Sequence, residues 1–397
     1  MVFLFFDIYI ILIEDLNMLL GYGAKNFCCF QDWMEIDMTF SAAIPENISN
    51  GLNYATSMCL KGANASGKTN AIKVLSFLSY FATDSFNMKP EDEILFDTFF
   101  NNEKPAEFFV KFQADDIEYT YELVVTTKVV EKEIISKKDQ RNTIVFERVS
   151  DQITRNSLFD TKKEFPIRSN ASIISTANQY EVNEIKILYN FFSSIITNVA
   201  YSGMKQKNFD YNQFCKYYKN NSEIFSFVKK KISEFDTGIN DIEISSYKNQ
   251  KNDEIYFPIF KHLVTTEIKF LLFEVQSTGT KALFEYLFYY YNVLNNGGLL
   301  LMDEFDINLH PDILPHLIRL FNDSKDNSKN AQIIFTTHNT DIIDQMGKYR
   351  TYLFNKENGS SYCYRLDELS NNVIRNDRPI SPLYKSKKIG GVPRINL

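Results

Sequence analysis

The sequence predicts an α/β fold built from an antiparallel β lobe and a parallel α/β lobe, with a helical lid inserted between them. Three observations predict it. Residues 107–125 have a period of two: Phe108, Val110 and Phe112 alternate with Phe109, Lys111 and Gln113, and after a turn at Asp115-Asp116 the alternation resumes at Ile117, Tyr119, Tyr121, Leu123 and Val125. From about Ala171 to Phe235 the spacing becomes helical, with Ile185, Leu188, Phe191, Phe192 and Ile195 on one face. After Thr280 the pattern runs helix, strand, helix, strand, helix, the order of a parallel lobe.

The elements follow in order. Met1–Ile13 is apolar but too short to span a bilayer, has no basic leader and is interrupted by Asp7, so residues 1–17 are expected to be an appendage ahead of a first strand at Met18. Leu19–Phe40 reads as a hairpin broken at Gln31-Asp32, and Ala55–Leu60 as a short strand. Lys68–Phe81 has helix spacing at Ile72, Leu75, Leu78 and Phe81. Ile144–Val149 is a further strand, while Ile242–Ser245 and Glu267–Glu274 lead back to the second lobe. The expected organisation is an appendage (1–17), a first lobe (18–170), a lid (171–240) and a second lobe (241–397). Lys229-Lys230-Lys231, on the last lid helix, reads as a solvated face.

Composition excludes several classes. A net charge of −7 argues against a general nucleic-acid coat, although a local basic groove is compatible with it. The five cysteines form no zinc-type pairs and are odd in number, as for thiols in a reducing cytoplasm, where the chain is expected to reside. No stretch approaches a membrane span, so no membrane partner is expected.

Four motifs carry chemistry. Gly62-Ala63-Asn64-Ala65-Ser66-Gly67-Lys68-Thr69, followed by Asn70, lies between a strand and a helix. Its glycines let the backbone wrap phosphate oxygens, Lys68 brings charge to the outer phosphates, and the Thr69 hydroxyl suits Mg²⁺. Leu299–Met302 ends in Asp303-Glu304, and two carboxylates at the end of a buried strand need a cation. Asp303 is expected to hold the metal through its water shell and Glu304 to polarise the attacking water. Ile333–Thr337 leads to His338 at the carboxyl edge of the sheet, the place for a γ-phosphate sensor; His262, His310 and His316 read as structural. Ser277-Thr278-Gly279-Thr280 caps the next helix. Loop, Ser-Gly turn, carboxylate pair and histidine, in that order, describe an ABC-type ATPase head. Ser277, Gly279 and Thr280 would then complete the pocket of a second subunit, and ATP with Mg²⁺ would join two heads. The glutamine that such heads place near the metal has no unique candidate in this sequence.

Together these residues resemble the AAA-domain, ABC-like ATPases of bacterial phage defence, the RloA and AbiLi group, related to the ATPase subunits of the OLD, Septu and PARIS systems. Asn70 and Leu309-His310-Pro311 match this group, and Gly390-Gly391-Val392-Pro393 matches its ending in part. The resemblance implies an ATP-hydrolysing sensor or switch of an antiviral, abortive-infection system. It also implies a homo-oligomer joined through its heads, a nucleic-acid or phage-protein trigger, and a separately encoded effector such as a Toprim-like nuclease. Two rival readings stand beside it. One is an SMC-type DNA repair or recombination ATPase that clamps DNA, against which the missing coiled coil and the acidic balance count. The other is a nuclease in its own right, for which the stretch after His338 is expected to be too short.

Overall fold

The computed structural model describes residues 17–41, 44–159, 166–200, 203–204, 211–236, 238–370, 373–375 and 378–392. The expected appendage, apart from Asn17, and Pro393 lie outside the described residues. β1 (Met18–Lys25) and β2 (Met34–Asp37) form the expected first hairpin. A single turn, α1 (Glu46–Ser49), precedes β3 (Ser57–Gly62), which belongs to a second sheet. After the buried helix α2 (Lys68–Asp84) come β4 (Ala106–Ala114), β5 (Ile117–Val125), β6 (Val130–Lys138), β7 (Asn142–Val149) and β8 (Gln152–Asn156). They complete a seven-stranded antiparallel sheet in the order β2-β1-β4-β5-β6-β7-β8. Asp115 and Asp116 both have positive φ (48° and 61°), the two-residue turn whose twist suits a hairpin.

A buried ion pair ties this sheet together. Arg148 Nη2 lies 2.6 Å from Glu133 Oε2, and both side chains are fully buried. Tyr121 and Ser172 donate their hydroxyls to Glu133 Oε1, each at 2.7 Å, and Arg148 also donates to the carbonyls of Arg168 and Ala171. β5, β6, β7 and the start of the next helix are thus joined at one point.

The described residues of 171–240, expected to form a helical lid, are mostly helical and pack in two different cores. α3 (Ile173–Gln179) and α4 (Lys186–Ser193) bury Ile173, Ile174, Leu188, Phe191 and Phe192 in the same core as α2 and β4. Phe191 stacks on Phe112 with ring centres 3.8 Å apart. Ile195, expected on the helix face, instead opens β9 (Ile195–Thr197). Ser193 and Ser194 end the helix, and the β-branched run Ile195-Ile196-Thr197 fits a strand better. β10 (Val199–Ala200) pairs with β11 (Gly203–Met204). α5 (Tyr211–Asn220) and α6 (Ser222–Phe235) then pack in a different core, with Cys215, Tyr218, Val228 and Ile232 buried. On α6, Lys229 pairs with Asp241 and Lys231 with Glu234, in keeping with a solvated face.

β12 (Ile239–Lys248), β13 (Glu254–Val264) and β14 (Glu267–Leu272) make a three-stranded antiparallel sheet. The predicted alternation follows: α7 (Thr278–Asn296), β15 (Leu299–Met302), α8 (Ile313–Asn322), β16 (Gln332–Thr336) and α9 (Ile342–Met346). β17 (Thr351–Glu357) and β18 (Ser360–Arg365) close the second sheet, and α10 (Ser381–Lys385) lies in the tail. The sheet order is β18-β17-β3-β16-β15-β9, parallel except for β18. Alternation along its strands divides two cores: Met58, Leu60, Leu299 and Leu301 face α2, while Cys59, Leu300, Met302, Ile333 and Phe335 share the core of α7 and α8. The carboxyl ends of β3, β15, β16 and β9 therefore converge on one edge, where open α/β sheets bind ligands.

Candidate active site

The loop 62–69 leaves β3 at that edge and enters α2. Its turn needs residues that tolerate unusual backbone: Gly67 has φ +107°, and a Cβ there would lie 2.9 Å from Cys29 Sγ. Lys68 is buried, and its ammonium donates to the carbonyls of Gly62 (3.1 Å) and Ala63 (2.9 Å). Burial lowers its pKa, and the carboxylates of Asp303, Glu304 and Asp306 oppose that shift. Ser66 Oγ is buried without a hydrogen-bond partner. Asn70, the residue after the loop, donates its amide to Cys29 Sγ at 3.0 Å.

Thr69 and Asp303 meet across the site. The Thr69 hydroxyl donates to Asp303 Oδ2 at 2.7 Å, and the Thr336 hydroxyl donates to Asp303 Oδ1 at 2.6 Å. Thr336 Oγ1 also accepts the Glu304 N–H at 2.8 Å. Asn198, at the end of β9, grips the Asp303 peptide from both sides: it accepts the Asp303 N–H at 2.8 Å and donates to the Asp303 carbonyl at 2.9 Å. Glu304 is half-buried in the left-handed region, with φ +51°. For a non-glycine residue that conformation is held by its surroundings, here by the Thr336 bond.

His338 is exposed, and its N–H donates to Asp306 at 3.1–3.2 Å, as does that of Asn339. With Lys61, Gly62, Ala63, Asn64, Thr340 and Tyr384 it lines a cleft of about 400 Å³ beside the loop. Lys61, Asn198, Asp306 and Thr336 adjoin these groups, and the motifs do not single them out. Thr336 and Asp306 lay inside or beside the motifs, whereas Asn198 had no sequence signal.

The Ser277 turn stands apart. Ser277 is exposed and caps α7, its hydroxyl accepting the Thr280 N–H at 3.0 Å. A Cβ on Gly279 would lie 2.8 Å from the Asn308 carbonyl, so the turn packs on the segment that follows the carboxylates. Thr280 is buried, and its hydroxyl is bonded to Asp236 at 2.8 Å. The Thr280 hydroxyl also lies 2.8 Å from the Ser277 hydroxyl, so both are engaged within their own chain. No hydrogen bond among the described residues joins this turn to residues 62–70. The three histidines outside the site have local roles: His262 faces Gln276, His310 faces Asp312, and His316 packs on Phe235. All five cysteines are free.

A sequence family with the description "AAA domain, putative AbiEii toxin, Type IV TA system" matches residues 57–344, which run from β3 through the loop, carboxylates and histidine into α9. The chain belongs to this AAA-domain family. Among solved structures, this AAA-domain chain is similar to the SMC head domain from Thermotoga maritima, at 15% identity over 88% of this chain and 98% of that one, with a TM-score of 0.43. It is also similar to the SmcHead bound to the C-winged helix domain of ScpA, at 16% identity over 88% and 99%, with a TM-score of 0.47. No curated protein matches it in sequence. Among the described residues, no helix of the AAA-domain chain is long and apolar enough to cross a membrane.

Proposed function

We propose that the chain binds ATP with Mg²⁺ and hydrolyses it as the switch subunit of an antiviral defence system. The observation that supports this reading is the line of hydrogen bonds Thr69–Asp303–Thr336–Glu304, which links the end of the loop to both carboxylates. The donors fit Mg²⁺: Thr69 and Asp303 offer hard oxygens already 2.7 Å apart, and a Mg²⁺ that keeps water and nucleotide oxygens takes only one or two protein ligands. When bound, the ion neutralises charge on the β- and γ-phosphates.

The chain's residues do the rest. The amides of the loop 62–69 and the buried Ser66 hydroxyl face the phosphates. The Lys68 ammonium exchanges the Gly62 and Ala63 carbonyls for phosphate oxygens, a stronger, charge-assisted contact. Glu304 orients the attacking water and accepts its proton. His338 reads the terminal phosphate from the exposed side of the cleft. Ser277 and Gly279 would complete the pocket of a second copy, so that ATP joins two heads and hydrolysis releases them.

The defence role, with a separately encoded effector, draws on the resemblance to phage-defence ATPases and on the AbiEii wording of the family description. The chemistry is tested by two variants. Lys68→Ala should lose nucleotide binding, whereas Glu304→Gln should keep binding and lose hydrolysis by at least about 100-fold. Turnover of ATP by Glu304→Gln at the parent rate would overturn the assignment of the base.

A further inference from the structure

Lys61 is the last residue of β3 before Gly62, and it is 2% exposed. Its ammonium donates to the Thr337 carbonyl at 3.1 Å and lies 5.6 Å from the centre of the Tyr384 ring. Asp306 and Asp341 act on it only through space, and burial is the larger influence, lowering its pKa. One carbonyl and one ring face are modest partners for a buried ammonium with three N–H groups. An apolar side chain of the same length would be retained more cheaply at such a position, unless the charge has a use.

The surroundings indicate that use. Lys61 lines the cleft shared by Gly62, Asn64 and His338, at the mouth of the phosphate loop. By strand alternation it lies on the same face as Cys59, opposite the face on which α2 carries Lys68. Its hydrogen-bond partner, Thr337, is the residue immediately before His338. The tail that brings Tyr384 over it is firmly held. The Asp344 carboxylate accepts the Ser381 N–H, the Tyr384 hydroxyl donates to the Gly391 carbonyl, and Tyr384 packs with Ile343 and Leu353 in a small core of its own.

We propose that Lys61 is a second cationic contact for the terminal phosphate, approaching from the face opposite Lys68, and that it makes the site prefer a triphosphate to a diphosphate. The inference rests on the ATP reading above. In the ligand-free arrangement the Thr337 carbonyl and the Tyr384 ring keep the ammonium in reserve. A terminal phosphate offers it a charge-assisted bond that a diphosphate, ending one group short, does not.

The test is calorimetric titration of the full chain with the non-hydrolysable triphosphate adenylyl imidodiphosphate and, separately, with ADP, both in Mg²⁺. Lys61→Met should weaken triphosphate binding about tenfold while leaving the ADP affinity unchanged and the melting temperature of the ligand-free chain no lower than that of the parent. An equal loss for both ligands, or no loss for either, overturns the proposal. If Lys61→Met does not fold, Lys61→Gln, which keeps a donor for Thr337 without the charge, must show the same selective loss. A parent chain that binds neither nucleotide defeats the ATP reading and this inference together. A parent that binds both, with an unchanged preference in the Lys61 variant, defeats this inference alone.

Discussion

Thr336 shows how much one hydroxyl can organise. It donates to the carboxylate assigned to the metal and accepts the backbone N–H of the candidate base, so it sets the distance between the two groups. Thr336→Val keeps the shape and β-branching but leaves the Glu304 N–H without its acceptor. The expected result is a fall in ATPase activity of about 10–100-fold, with a higher Mg²⁺ requirement, as for other residues that orient metal ligands. A Mg²⁺ titration of the hydrolysis rate, with melting temperature as the control for folding, checks it. The motif residues themselves were legible because glycine, lysine and paired carboxylates at strand ends each answer a specific chemical demand. Asn198 was not. Its bonds to Asp303 span 105 positions, and an asparagine after Ile-Ile-Thr carries no pattern.

At the scale of elements, alternation and turn chemistry were read well wherever one face was buried. Phe108, Val110 and Phe112 point inward as their period of two requires, and Asp115-Asp116 turns the chain between them and Ile117. The reading failed at β9, where three residues in an otherwise helical stretch insert beside β15 at the edge of the parallel sheet. A strand so short has no period to detect, and only its pairing defines it. β6 and β7 are linked by the Glu133–Arg148 pair, which a sequence shows only as two more charges. Arg148→Met should destabilise the chain by about 3–5 kcal/mol, because it leaves a buried carboxylate without its cation. Adding Glu133→Leu should restore only part of that loss: it removes the unpaired carboxylate, but Tyr121, Ser172 and the Ile173 N–H then lack their acceptor. Urea unfolding of the two variants gives the comparison; a single variant as stable as the parent would show the pair to be dispensable.

For the whole molecule, the open question is whether two copies share their pockets. Gly279 is a poor place to ask it, since any side chain there meets the Asn308 carbonyl of the same chain. Thr278, exposed in the first turn of α7, is better placed. If Ser277 and Gly279 face a neighbour's nucleotide, Thr278→Arg and Lys68→Ala should each be inactive alone. In a two-fold dimer mixed from both, one pocket carries both lesions and the other neither. Mixing should then recover up to about half the parent ATPase activity per mixed dimer if the pockets act independently. Light scattering with ATP establishes that mixed dimers form, and mixed dimers with no recovered hydrolysis would remove the shared-pocket arrangement.

The order of strands in the parallel sheet also has a consequence for biosynthesis. β3 is the first of its strands to leave the ribosome, yet both its neighbours, β16 and β17, are made near the end. Thr69 waits 234 positions for Asp303, roughly ten to fifty seconds of elongation at about 5–20 residues per second. Through that interval the nascent chain carries an apolar strand with both edges open and a phosphate loop that has no carboxylate to work with. Over that period the Thr69 hydroxyl lacks its Asp303 partner and the strand stands open to misassembly. Its dependence on chaperones should be greatest then, and arrested nascent chains ending before residue 332, where β16 begins, are where that dependence can be measured.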